Sequence, residues 1–238
     1  MTEPIARFLS KYVEKIYLAT EIENIESIFN TYDKVYTYGQ IKSGEIEGDT
    51  MIKLVYELSD NQKTYIQGYM ESIGFGEVNN KDIPILKNDW ENIIEGEYIL
   101  IAPFTSKWEE KKRNWGYQNF IELSNILEVE YNTRCVMLEK HYSLSEMMPL
   151  IKHCNFFIGN DSGPAIIAQS FKRKAFVIFG ATRPDYIHMS KFTVAIYDRN
   201  RHKLCKHNSR KEEIDCCEDF CMERISVDKV FEQIRLNI

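Results

Sequence analysis

A short polar turn follows an apolar run and carries groups suited to binding an anion. The turn reads Asn-Asp-Ser-Gly-Pro over residues 160–164, and it lies between the apolar residues 156–158 and a helix predicted over Ala165 to Phe171. Residues 175–179 then predict the next buried strand. Asp161 or Ser162 can cap the open helix amides, and Pro164 suits the first helical turn. Because such amides and the positive end of the helix dipole favour phosphate, this junction predicts a ligand site.

Two further segments extend this pattern into a family resemblance. The turn, Ala168 and the later Phe-Gly-x-Thr-x-Pro of residues 179–184 together resemble the nucleotide-sugar motif of glycosyltransferase family 9. These are the ADP-heptose:lipopolysaccharide heptosyltransferases and their relatives. Upstream, the strand and hydroxyl pair of residues 99–106, followed by Arg113, Trp115 and Phe120, resemble the opening of that family's second domain. The resemblance is good from about residue 98 to residue 186.

The resemblance implies a GT-B fold, in which two Rossmann-like domains face each other, and a cytoplasmic transferase. The implied donor is a nucleotide-diphosphate sugar similar to ADP-heptose, and the implied acceptor is a hydroxyl of a cell-envelope glycan, as in lipopolysaccharide biosynthesis, or of a protein. The residues implied to bind the donor are Thr105, Ser106, Arg113, Asp161, Ser162, Gly163, Pro164 and Thr182. Simpler interpretations remain open: Asp161 as only a helix cap, Arg113 as a surface charge, and Thr105 and Ser106 as the end of a strand.

Strands that alternate with helices predict an α/β protein with parallel sheets. The polar segment 84–97 precedes a strong strand, so we expect a reduced N-terminal α/β domain over 1–97, on the acceptor side, and a nucleotide-sugar domain over 98–238. The first part has 9 Lys/Arg against 18 Asp/Glu and the second 21 against 18. This asymmetry fits an anionic ligand in the second part and is too slight for a nucleic-acid surface. No apolar run is long enough to span a membrane, and no signal peptide is evident.

Within the first domain, the pattern predicts short alternating elements. The predicted helices cover Ile5 to Tyr12, Asn24 to Tyr32 and Gln62 to Ile73, and the predicted strands cover Lys15 to Ala19, Lys34 to Tyr38 and Met51 to Tyr56.

The chain departs from the family in three places. The family's first strand and its presumed catalytic aspartate are not found, so the N-terminus is either divergent or begins late, and the catalytic residue is unknown. Glu57 and Asp60 are only guesses for the base that sugar transfer requires. Ile166 stands where the family usually has a histidine that contacts the donor phosphate. The segment 138–143 is too short for the helix and strand that the family has there.

Four late cysteines form a second chemical signal. Cys205, Cys216, Cys217 and Cys221 lie in a polar segment, 202–221, together with His202 and His207. Clustered thiolates suit zinc or iron. The cluster is similar to the four-cysteine iron site of the family's autotransporter protein heptosyltransferases. Free thiols and a disulfide are the alternatives.

Two functions from different classes are compatible with these residues. The first is a transferase of the heptosyltransferase type. The second is a non-catalytic homologue that keeps the nucleotide-sugar fold for binding, regulation or assembly, as a homo-oligomer or together with a complete transferase. The retained turns favour the transferase, while Ile166 and the missing base favour the homologue.

Overall fold

The computed structural model describes residues 3–20, 28–44, 67, 70, 84–105, 113–180, 184, 190–198 and 222–238. The chain divides into two compact units, Met1–Trp90 and Glu91–Ile238. Both units contain parallel strands and helices, so the predicted α/β class is confirmed. Within the described ranges, no helix is long and apolar enough to cross a membrane.

The first unit holds a small parallel sheet. Its elements are α1 (Glu3–Leu9), β1 (Tyr17–Ala19), β2 (Lys34–Tyr36) and α2 (Tyr38–Ser43), and β1 pairs with β2. The predicted first helix and first two strands are present with shorter bounds. The helix predicted up to Tyr32 is wrong over residues 28–32, which are turns and bends. The strand predicted over 51–56 lies outside the described residues, as does most of the helix predicted over 62–73, of which Gln67 and Met70 are helical.

Helix α2 replaces the end of a predicted strand. The Thr37 hydroxyl accepts a hydrogen bond from the Gln40 amide at 3.3 Å, and the Gln40 side chain accepts one from the Thr37 amide at 2.9 Å. This reciprocal capping box starts the helix one residue after Thr37. Gly44, with φ of 79°, ends it in the left-handed conformation. The Thr-x-x-Gln spacing is a helix-start signal that outweighs the β-propensity of the neighbouring tyrosines.

The second unit is a five-stranded parallel sheet covered by helices. Its strands have the order β4-β3-β5-β6-β7. The elements are β3 (Ile99–Ala102), α3 (Tyr117–Tyr131), β4 (Cys135–Met137), α4 (Leu144–His153), β5 (Phe156–Asn160), α5 (Gly163–Ser170), β6 (Lys174–Phe179), β7 (Thr193–Tyr197) and α6 (Val227–Arg235). Strand β7 was not predicted from the sequence.

The core of this unit forms because its central strands are apolar on both faces. All residues of β3 and β5 are buried, as expected for a parallel sheet between two helical layers. Helix α6 packs against α3 and β7. The side chains of α3 and α6 share one buried cluster with alternate residues of the strands.

Helix ends in this unit follow local signals. The Ser143 hydroxyl accepts from the Glu146 amide, and the Glu146 carboxylate accepts from the Ser143 amide at 2.7 Å, which forms a capping box at the start of α4. The Ser143 hydroxyl, which donates to the Glu146 carboxylate, and then the Ser143 amide hold the pKa of Glu146 below its usual range. Ser226 caps α6 by accepting from the Lys229 amide at 3.2 Å. Only residues 138–143 connect β4 to α4, so this connection holds no additional helix or strand.

Candidate functional site

The strand order creates a topological switch point at the carboxyl edge of the second sheet. Strand β3 lies between β4 and β5, so the chain leaves β3 to one side and later returns to its other side. Ligands of open α/β sheets bind outside the carboxyl ends of the strands at such a switch point. The segments that follow these two strands are residues 103–105 after β3 and residues 161–162 after β5. Both segments belong to the predicted donor site.

Close contact between the two strands depends on Gly159. Ala102 and Gly159 are register partners in β3 and β5. A Cβ added to Gly159 would lie 2.9 Å from the Ala102 carbonyl oxygen, a distance that would force one of the strands to move. Glycine at this position therefore brings the ends of β3 and β5 together.

Arg113 and Asp161 form a partly buried ion pair at this switch point. Nη2 of Arg113 lies 2.9 Å from Oδ2 of Asp161, and it also donates to the Asp161 carbonyl oxygen. The Asp161 side chain is 4% exposed and that of Arg113 is 19% exposed. Arg113 is therefore not a solvated surface charge, because its guanidinium is paired with the Asp161 carboxylate. The pair holds a guanidinium at the edge where β5 ends.

The start of α5 differs from the predicted capping. Ser162 occupies the N-cap position, as one of the two predicted residues, but its side chain makes no capping hydrogen bond there. The Ser162 hydroxyl instead donates to the Asn160 carbonyl oxygen at 3.1 Å. Pro164 lies in the first turn as predicted. Pro164 has no N–H, and the Ala165 amide donates to the Ser162 carbonyl oxygen at 3.1 Å. The Gly163 amide is therefore the first-turn donor suited to an external anion.

Gly163 leaves open space before this helix. It is exposed, and a Cβ added to it would meet nothing within 4 Å. Its φ is not positive, so the backbone itself does not require glycine. The space in front of the first turn is therefore large enough for another group to approach the backbone.

Asn160 joins the segments that form the site, a role that the sequence analysis did not assign to it. Its side chain is fully buried. Nδ2 donates to the Pro103 carbonyl oxygen at 2.8 Å, and Oδ1 accepts from the Trp115 amide at 3.0 Å. Asn114 Oδ1 lies 3.4 Å from Nδ2. A polar residue at the end of a fully apolar strand is the signal that points to such a role, because a buried amide needs hydrogen-bond partners.

Trp115 is a buried packing residue. It is 3% exposed, and its ring meets Phe120 edge-to-face with centroids 4.9 Å apart. Its indole N–H donates to the Ile225 carbonyl oxygen at 2.6 Å. The segment that carries Arg113 is thus anchored both to β5 and to the residues before α6.

The other predicted site residues are distributed as follows. Thr105 is half-buried and directly follows Phe104, and Ile166 is half-buried in the first turn of α5. Outside the described residues lie Ser106, Thr182, Glu57, Asp60, and the four cysteines Cys205, Cys216, Cys217 and Cys221. Among the residues that are described, no group of three His, Cys, Asp or Glu side chains could hold a metal ion. The four predicted cysteine ligands lie outside the described residues, so this finding does not test the predicted metal site.

Together, the arranged groups can bind a dianionic or diphosphate group. A guanidinium supplies planar donors and a fixed positive charge, and a helix N-terminus supplies amides with partial positive charge. Both types of donor lie at the same sheet edge, which is a favourable arrangement for stabilising negative charge on a departing diphosphate.

Comparisons with known proteins show which family and fold the chain resembles. Residues 129–217 match the family model of glycosyltransferase family 9 (heptosyltransferase). No curated protein sequence matches the chain significantly. Among solved structures, the iron-containing dodecameric glycosyltransferase TibC from enterotoxigenic E. coli H10407 is similar with a TM-score of 0.72 at 14% identity, over 98% of this chain and 70% of that one.

Two more structures show the same fold. TibC in complex with ADP-D-β-D-heptose has a TM-score of 0.71 at 15% identity, over 98% of this chain and 70% of that one. A family 9 glycosyltransferase from Veillonella parvula DSM 2008 has a TM-score of 0.67 at 12% identity, over 99% of this chain and 92% of that one. Residues 129–217 thus resemble the family 9 glycosyltransferases, and the fold of the chain is the GT-B-like fold of the heptosyltransferase structures.

Proposed function

We propose that this protein transfers a sugar from a nucleotide-diphosphate sugar, with the diphosphate bound at the carboxyl edge of the second sheet. The acceptor would be a hydroxyl group of a cell-envelope glycan or of a protein. The donor is proposed to be similar to ADP-heptose, because TibC, which has the same fold, was solved in complex with ADP-D-β-D-heptose. The proposed donor residues are those predicted from the sequence.

The observation that carries this proposal is the Arg113–Asp161 pair at the switch point. A guanidinium with 19% exposure is held by a nearly buried carboxylate beside the open first turn of α5. An arginine fixed in this way is preorganised for phosphate oxygens, because little side-chain freedom remains to be lost on binding. The Gly163 amide at the start of α5 would bind the same diphosphate from the helix side.

In the proposed reaction, the acceptor oxygen attacks the anomeric carbon while the bond to the diphosphate oxygen breaks. Arg113 and the Gly163 amide would stabilise the charge that develops on the departing diphosphate. A base must accept the proton of the acceptor hydroxyl. Glu57 and Asp60, the only candidates from the sequence, lie outside the described residues, so no residue is assigned to this step.

We further propose that Cys205, Cys216, Cys217 and Cys221 hold zinc or iron, with His202 or His207 able to complete the ligand set. Thiolate ligands suit both metals. TibC is described as iron-containing and dodecameric, which supports a metal and a homo-oligomer as proposals for this chain as well. A cytoplasmic location is also proposed, on the basis of the resemblance to this family.

Calorimetry with ADP-, UDP- and GDP-sugars tests the donor proposal, and release of the nucleoside diphosphate with an added acceptor tests transfer. We expect binding of at least one donor and slow nucleotide release. Binding without any release would instead indicate a non-catalytic homologue. Folded protein that binds no nucleotide sugar would contradict the proposal.

Gly163→Ala provides a sharper test of the site itself. Because the added Cβ meets nothing within 4 Å, the variant should fold as the wild type does but obstruct a ligand at the Gly163 amide. Gly39→Ala in α2 is the matched control, since its Cβ would have only an ordinary contact, at 3.6 Å from the Thr37 hydroxyl oxygen. We expect weaker donor binding by Gly163→Ala only.

A further inference from the structure

An ion pair remote from the switch point joins β7 to the turn before α6. Strand β7 ends the strand order and lies two strands away from β5. Asp198 directly follows β7, and its carboxylate Oδ2 accepts a hydrogen bond from Nε of Arg224 at 2.5 Å. The Asp198 side chain is 7% exposed and that of Arg224 is 37% exposed. Because a nearly buried carboxylate needs its cation, the pair ties Arg224 to the end of β7.

A second hydrogen bond supports the same connection. The ammonium of Lys229, in the first turn of α6, donates to the Tyr197 carbonyl oxygen at 3.3 Å. Ser226, the N-cap of α6, lies between Arg224 and Lys229 in the sequence. Two basic side chains on either side of the helix start therefore bond to the end of β7. These bonds fix the start of α6, and the turn before it, relative to the sheet.

The turn before α6 also packs into the core. Met222 and Ile225 belong to the cluster that α3 and α6 share with the strands, and they are 3% and 1% exposed. The Ile225 amide donates to the Met222 carbonyl oxygen at 3.2 Å. The Ile225 carbonyl oxygen accepts from the indole N–H of Trp115. The residue that accepts from Trp115 thus directly follows Arg224, the residue that is paired with Asp198.

Trp115 connects this turn to the proposed donor site. Its backbone amide donates to Oδ1 of Asn160 at the end of β5, and Arg113 lies two residues before it. Trp115 is therefore held by β5 through its amide and by the turn before α6 through its indole. A buried indole N–H needs an acceptor, so Trp115 must follow any displacement of the Ile225 carbonyl. Such a displacement would move the backbone that carries Arg113.

We propose that Asp198 and Arg224 are positioning residues, which hold the Arg113 guanidinium in place for the donor diphosphate. They act through the Ile225 carbonyl and the Trp115 indole, and neither of them contacts the donor. This inference rests on the proposed function, since it concerns the binding of the same diphosphate. A guanidinium binds phosphate oxygens through a planar set of donors, so a small displacement of its backbone weakens the contact.

Calorimetric titration of the full chain with inorganic pyrophosphate and with ADP, together with urea unfolding, tests this role. Arg224→Ala should lower the affinity for both ligands on the order of 5-fold, as for an effect transmitted through packed residues. Arg224→Lys keeps a charge beside Asp198 and should recover part of the loss. Trp115→Phe keeps an aromatic ring in the core but lacks the indole N–H, so it should show a similar loss.

A double-mutant cycle separates positioning from a general loss of stability. If Arg224 acts through Arg113, adding Arg224→Ala to Arg113→Ala should cause no further loss of ADP affinity, although the free energy of unfolding should still fall. Arg235→Ala is the matched control in both backgrounds, because it removes an exposed ion pair at the other end of α6. It should leave the ADP affinity unchanged.

Two results would overturn the positioning role. The first is wild-type affinity for both ligands in Arg224→Ala and in Trp115→Phe. The second is an equal loss of ADP affinity from Arg224→Ala with and without Arg113, since independent effects add. Wild-type protein that binds neither pyrophosphate nor ADP would overturn the proposed function as well, so the two failures are distinguishable.

Discussion

The guanidinium of Arg113 lies 2.9 Å from the carboxylate of Asp161, across 48 residues of sequence. These are two of the residues implied to bind the donor, and in the structure they bind each other. The carboxylate is almost buried, so it needs the arginine as a partner, and the arginine keeps a fixed position at the switch point. The same ion pair therefore stabilises the buried carboxylate and fixes the positive charge of the site.

Replacing Arg113 should weaken both donor binding and the fold. Arg113→Ala removes a charged hydrogen-bond donor, which contributes about 1.5–3 kcal/mol to binding. It also leaves the Asp161 carboxylate without this cation, so the free energy of unfolding should fall. Arg113→Lys keeps the charge and should lose less of both. Calorimetry and urea unfolding measure the two effects.

Arg235→Ala is the control for this prediction, because Arg235 forms an exposed ion pair with Glu232 at 3.0 Å. Exposed pairs contribute little, so binding and stability should change by about 0.5 kcal/mol or less. Equal donor affinities for Arg113→Ala and Arg235→Ala would show that Arg113 serves the fold alone.

Asn160→Ala should destabilise the second unit. The substitution leaves the Trp115 amide and the Pro103 carbonyl without their partner inside the protein. Each buried unsatisfied group costs about 1–3 kcal/mol, so for two groups the free energy of unfolding should fall by about 2–6 kcal/mol. Asn237→Ala, which removes a side-chain bond at the exposed end of α6, is the comparison. Chemical denaturation with similar midpoints for both variants would contradict the role assigned to Asn160.

Stability should fall at high pH through Tyr98. Burial raises the pKa of Tyr98 from 10.0 to about 12, and its hydroxyl donates to the Leu150 carbonyl oxygen at 2.8 Å. The folded protein therefore keeps this proton while the unfolded chain releases it, so the contribution is complete below pH 10 and is lost as the pH rises towards 12. Two pKa units correspond to about 3 kcal/mol at most.

Urea unfolding of Tyr98→Phe at pH 8 and at pH 11 measures this effect. The variant should be less stable than the wild type at pH 8, because it lacks the hydrogen bond, and the difference should shrink at pH 11. A constant difference between the two proteins would exclude Tyr98 as the titrating group. Tyr38→Phe, which changes an exposed tyrosine, should follow the wild type at both values.

Thiol reactivity should separate the cysteines into two groups. Burial raises the pKa of both Cys135 and Cys154 to about 12, so neither forms a thiolate readily at pH 8. Any rapidly reacting thiols of the native protein should therefore be among Cys205, Cys216, Cys217 and Cys221. If these hold metal as proposed, protein purified without chelator should contain close to one zinc or iron per chain.

Removal of that metal should convert slowly reacting thiols into rapidly reacting ones, because a ligating thiolate is shielded by its metal. Cys135→Ala should leave the rapid phase unchanged. Metal-free protein whose thiols react rapidly without any chelator treatment would contradict the metal proposal and leave free cysteines as the answer.

The sequence by itself determined the features that depend on neighbouring residues. The Ser143 and Ser226 caps were predictable because their partners lie three residues away. The strand, turn and helix around residues 156–171 follow from an apolar run, a polar turn and a proline in the first helical turn. Thr37 and Gln40 carried a similar local signal for a helix start. The strand was nevertheless predicted to continue to Tyr38, because the residues before Thr37 favour a strand.

Only the tertiary structure decided how these elements form a site. The position of β3 between β4 and β5 is a property of the sheet, and it determines which loops meet at its edge. Asn160 finds partners 45 and 57 residues away, and Ser162 bonds to a nearby carbonyl instead of capping α5. Such choices depend on which polar groups are buried together, since a buried group must be satisfied by whatever partner the fold brings within hydrogen-bond distance.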